Sequence, residues 1–76
     1  MKIAKDKQLH ILAGFIVAVV AQVLTGSPLV ALLASVVVGA AKEAYDATGR
    51  GTVDLWDFVA TVAGGALFVV PLLILQ

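Results

Sequence analysis

The sequence predicts an all-α integral membrane protein. It has three transmembrane helices, with the N-terminus cytoplasmic, the C-terminus outside and a polar cluster at the cytoplasmic end. Three observations carry that expectation. Of the 76 residues, 62% are hydrophobic and 13% charged, against about 45–50% and about 25% in an ordinary soluble domain. The apolar residues gather into three runs. Every charged residue falls at a helix end that three crossings would bring to one side.

So few charges cannot cover a chain of 7.8 kDa with mean hydropathy +1.11, because a small fold has a large surface for its volume. A soluble enzyme and a disordered tail are both disfavoured. The net charge of +0 offers no basic surface, so no nucleic-acid partner is expected. The absence of cysteine excludes disulfides, thiolate metal sites, a cysteine nucleophile and a cysteine lipid anchor.

The first helix is expected over about residues 5–25, around the apolar run from Leu9 to Leu24. Its basic start also fits a signal peptide, but Asp6 and His10 interrupt that pattern and no small-x-small cleavage site follows. Thr25-Gly26-Ser27-Pro28 is a compact break, in which Ser27 can cap the next helix and Pro28 suits its first position. The second helix is expected over about 28–48, because Ala40, Ala41, Glu43 and Ala44 favour helix past Lys42. Gly49-Arg50-Gly51 ends it. The third is expected over about 54–75, with Asp54 as cap and Asp57 in the capping-box position. Pro71 is expected to kink its last turns. A spanning helix needs about 20 mainly apolar residues, and all three segments reach that length. The three form one domain over 1–76.

With three crossings, Lys2, Lys5, Asp6, Lys7, Lys42, Glu43, Asp46, Arg50, Asp54 and Asp57 share one side. The positive-inside rule makes that side cytoplasmic, so a bacterial inner membrane is the expected location. The opposite side carries only the uncharged Thr25–Ser27 turn and Gln76.

Helical spacing sets the polar residues on narrow faces. Asp6, His10 and Gly14 form one stripe; Ser35, Gly39, Glu43 and Asp46 a second; Asp57, Thr61, Gly64 and Gly65 a third. Small residues below each polar group allow helices to approach closely. The stripes are therefore expected to face one another in a cone, tight at the outer end and polar at the cytoplasmic mouth. Lys2 and Lys7 taken singly read as snorkelling side chains, and Trp56 and Tyr45 as interfacial anchors. His10, Glu43, Asp46 and Asp57 converge from three helices at one depth, which marks them as candidate catalytic residues.

One histidine with three carboxylates offers a base and an acid. Glu43 and Asp46 could hold a hard divalent cation such as Mg²⁺. Lys42, Arg50 and Lys7 are candidates to contact a substrate phosphate. Such a mouth suits a membrane lipid, with its phosphate at the polar ring and its tails between helices.

The segments Asp6-Lys7-Gln8-Leu9-His10, Lys42-Glu43-Ala44-Tyr45-Asp46 and Asp54-Leu55-Trp56-Asp57 read as D-K-x-x-H, K-E-x-x-D and D-x-x-D. With Gly14, Gly39, Thr61 and Gly64, they resemble the YfiM-like and VanZ-like small membrane proteins, a proposed lipid-related superfamily. The resemblance spans nearly the whole chain. It implies that His10, Glu43, Asp46 and Asp57 line a membrane-embedded site acting on phosphate-linked lipids or lipid-linked glycans. The chain departs from YfiM-like lipoproteins in having no cysteine.

Three functions compete at this level: an enzyme acting on a lipid phosphate or headgroup, a holin-like pore or small channel, and a structural or regulatory subunit of a membrane complex. A bundle this small has little interior, so a homo-oligomer is expected.

Overall fold

The structure, a computed structural model, describes residues 5–50 and 55–75, apart from the side chains of Asp6 and Arg50. Lys2, Gly51, the expected cap Asp54 and Gln76 lie outside the described residues. Three α-helices follow in order: α1 over Lys5–Thr25, α2 over Pro28–Tyr45 and α3 over Leu55–Leu75. All three are long and apolar enough to cross a membrane, the character of an integral membrane protein.

The turn between α1 and α2 is built as its residues demand. Gly26 adopts φ 70°, a left-handed conformation that favours glycine. Its N–H donates to the Gln22 carbonyl at 2.7 Å. Ser27 Oγ accepts the Val30 N–H at 3.3 Å, and Pro28 occupies the first turn of α2. The other end of α2 differs from expectation. Regular α turns stop at Tyr45, and a wider π-type turn over Asp46–Arg50 carries the chain to Gly49, at φ 91°. The Asp46 N–H donates to the carbonyls of Lys42 and Glu43, which holds Asp46 against the helix end. At the far end, α3 continues past Pro71 to Leu75.

The helices pack mainly through their small residues. Ala18, Ala31 and Ser35 are fully buried, and Gly14, Gly39, Ala60, Thr61, Gly64 and Gly65 are buried with them. Large side chains such as Leu12, Ile16, Leu33, Val37, Leu67 and Leu73 point outward. A water-soluble core shows the reverse. In lipid, burying a leucine gains nothing over leaving it among acyl chains, so backbone proximity decides which face turns inward.

The closest approach is between α1 and α3. A Cβ added to Gly14 would fall on the Thr61 carbonyl oxygen, and one added to Gly64 on the Ile11 carbonyl oxygen. Each glycine thus aims a Cα–H bond at a carbonyl of the other helix, a reciprocal pair of weak hydrogen bonds. Ser35 Oγ of α2 donates to the Gly14 carbonyl at 2.9 Å and lies where a Gly65 side chain would sit. All three helices meet at this level.

Gly14 and Gly64 lie seven residues beyond Lys7 and Asp57, about 10 Å along the helices, so the narrow point is directly beneath the polar end. Beyond it Ala18, Ala31 and Val69 are buried together with Leu32 and Phe68 against them, and Phe15 and Phe68 form an edge-to-face pair at 5.6 Å.

Candidate functional site

Asp57 is the hub of the polar end. It stands in the first turn of α3, on the face that continues through Thr61, Gly64 and Gly65, so packing turns it inward. Three side chains converge on its carboxylate. Lys7 of α1 donates to Oδ1 at 2.5 Å. Lys42 of α2 donates to Oδ2 at 3.2 Å. His10 Nε2 of α1 lies 3.8 Å from Oδ2, close enough for attraction and too long for a hydrogen bond. The Asp57 side chain is only 9% exposed, so its charge depends on these partners.

Lys42 joins a second carboxylate to the hub. It donates to Asp46 Oδ2 at 2.5 Å, an i,i+4 pair that the helix end sets up by itself. Asp46 is also buried, and Glu43 keeps its Oε1 buried one residue along from Lys42. The backbone beneath is closed off as well, since Thr61 Oγ1 donates to the Asp57 carbonyl at 3.0 Å. Lys7 and Lys42 are thus paired with two carboxylates, Asp57 and Asp46.

Of the sequence candidates, His10 and Asp57 are brought into contact, and Asp46 reaches them through Lys42. Lys7, one of the expected phosphate contacts, holds Asp57; as a single residue it had read as a snorkelling side chain. Lys42, another, bridges Asp46 and Asp57. Both cations thus hold the helices together, whatever else they touch. The Arg50 side chain lies outside the described residues. Among the described residues there is no group of three or more His, Cys, Asp or Glu that could hold a metal ion. Asp46 Oδ2, of the suggested Glu43 and Asp46 pair for Mg²⁺, accepts from the Lys42 ammonium.

A feature the sequence reading passed over lies beside the hub. Lys7, Ile11, Trp56, Val59, Ala60 and Ala63 line an open groove of about 330 Å³ between α1 and α3. Lys7 is the one member of the polar cluster in its wall. The available signal was the spacing of Trp56, Ala60 and Ala63 on one face of α3, with small side chains below a large one. The arrangement can hold an anion at an interface, beside a histidine and its carboxylate, with an apolar channel leading away. Comparison of the chain with protein-family models, curated proteins and solved structures found no match.

Proposed function

We propose that this chain is a membrane enzyme acting on the phosphate or headgroup of a lipid or lipid-linked glycan. One observation carries the reading: His10, Lys7 and Lys42 converge on buried Asp57 at one end of a membrane-spanning bundle, beside a groove that opens at Lys7. In this reading His10 is the base or nucleophile. Asp57, with Oδ2 at 3.8 Å from the ring Nε2, places a carboxylate beside the imidazole. Lys7 and Lys42 offset the carboxylate charge and offer ammonium donors to a phosphate. The resemblance to YfiM-like and VanZ-like proteins supports the same substrate class. Lys5, Lys7 and Lys42 all lie at this end, which supports a cytoplasmic site and a bacterial inner-membrane location.

A pore is the less favoured alternative. Ala18, Ala31, Ser35 and Val69 are buried along the axis of one copy, so conduction would need several copies arranged around a separate opening.

The test is turnover. The protein is reconstituted with phospholipids and polyprenyl phosphates, with and without Mg²⁺, and products are followed by mass spectrometry. A product made by the native chain and lost in His10→Ala is the expected result. Folded protein that converts none of these lipids removes the enzyme reading, and dye leakage from the same vesicles then measures the pore.

A further inference from the structure

Three side chains share the two carboxylate oxygens of Asp57, and they share them unevenly. Oδ1 accepts from Lys7 at 2.5 Å. Oδ2 has two claimants, the Lys42 ammonium at 3.2 Å and His10 Nε2 at 3.8 Å. The histidine is the one held beyond hydrogen-bond range of this carboxylate. It would have to close by about 1 Å to reach the roughly 2.8 Å of a charge-assisted bond. An ammonium on Oδ2 opposes that closure, because it neutralises the charge that makes the bond strong.

Lys42 has a second place to rest. Its bond to Asp46 Oδ2, at 2.5 Å, is shorter than its bond to Asp57. Asp46 lies one turn along from Lys42, and its own N–H donates to the carbonyls of Lys42 and Glu43, so α2 supplies this partner without help from α3. The Lys42 side chain is 38% exposed, against 21% for Lys7, and its four-carbon stem is flexible. Lys42 can therefore leave Asp57 and keep a carboxylate. Asp57 in turn keeps Lys7, so its buried charge stays paired.

We infer that Lys42 is a positioning residue for His10. Resting on Asp46 alone, it releases Asp57 Oδ2 to the imidazole; resting on Asp57 as well, it keeps the two apart. The released oxygen accepts from Nε2 and fixes the ring proton at that nitrogen. The inference rests on the reading of His10 as the base or nucleophile, and it names what regulates the carboxylate beside it.

His10 is the one histidine of the chain, so a histidine label reads this site alone. The full chain, carrying nitrogen-labelled histidine, is reconstituted in phosphatidylcholine bicelles. Exchange of the Nε2 proton with water is followed by NMR at a single pH. Lys42→Met removes the ammonium and keeps the stem. Exchange is expected to slow about tenfold, the factor that a hydrogen bond to a charged group supplies. Asp46→Asn weakens the second resting place, leaves Lys42 on Asp57 and is expected to quicken exchange. Lys42→Gln is the milder variant; it slows exchange by less and carries the test if Lys42→Met does not insert.

An ion pair that only braced the helices would shift exchange in the same direction in both kinds of variant, because losing either partner loosens the same bundle. Exchange that is unchanged or faster without the Lys42 ammonium overturns the inference. So does slower exchange in Asp46→Asn. The result separates from that of the enzyme reading. Opposite shifts without any lipid conversion keep Lys42 as the control on His10 and remove the enzyme. Conversion without opposite shifts does the reverse.

Discussion

Gly64→Ala adds one methyl group where α3 touches α1. The added carbon would fall on the Ile11 carbonyl oxygen, with the carbonyl carbon at 2.7 Å and Cα at 3.0 Å. Backbone atoms in a helix cannot rotate away, so the two helices must part. Forcing a methyl into a filled contact costs about 1–3 kcal/mol. The parting also weakens the two Cα–H···O contacts, worth about 0.5–1 kcal/mol each. Against this, alanine is favoured over glycine inside a helix by about 1 kcal/mol. The expected net loss is about 2 kcal/mol. Reversible unfolding in mixed micelles, followed by helicity against the fraction of denaturing detergent, measures it. Ala40→Val, at an exposed position, is the control and should stay within about 0.5 kcal/mol of the native chain. A Gly64→Ala protein as stable as that control would refute the argument, because it would mean that α1 and α3 are not in backbone contact there.

Other expectations use the same unfolding measurement. Asp57→Asn should cost about 2–3 kcal/mol, below the ~3–5 kcal/mol of a fully buried pair because Lys7 and Lys42 keep some solvent, and Asp46→Asn should cost less because its ion pair is with Lys42, which Asp57 shares. Ser35→Ala removes the bond to the Gly14 carbonyl with little change in volume and should cost about 1 kcal/mol. Gly49→Ala forces a side chain into φ 91° and should cost about 1–2 kcal/mol. For orientation, an export-dependent reporter enzyme fused at the C-terminus should be active and the same reporter at the N-terminus silent; the opposite pattern would reverse the proposed topology.

The helices were legible in the sequence because their signals are local. Length and apolarity give the spans, and Ser27 and Pro28 mark the start of α2 within two residues. The inward stripes were legible too, since Gly14, Gly39, Gly64 and Ser35 fall at helical spacing with polar groups above them. What escaped was pairing at long range. Lys7 and Asp57 are 50 residues apart, and a lysine can snorkel outward or reach inward with equal ease. Only the rotation of α1 against α3 decides between them, and the glycine contact fixes that rotation. The groove escaped for a related reason. It is an empty space between two elements, and no residue in its wall has an unusual chemistry of its own.

Asp57 comes from α3, synthesised after α1 and α2, yet it is the group that joins Lys7 of α1 to Lys42 of α2. A nascent chain that has inserted only its first hairpin therefore carries both lysines and His10 without the carboxylate that gathers them. The Gly14 and Gly64 contact is missing at that stage as well, because half of it belongs to α3. Assembly of the polar end thus waits for the third of these helices. A product truncated before α3 would sit in the bilayer as a helical hairpin without the carboxylate that gathers Lys7, His10 and Lys42.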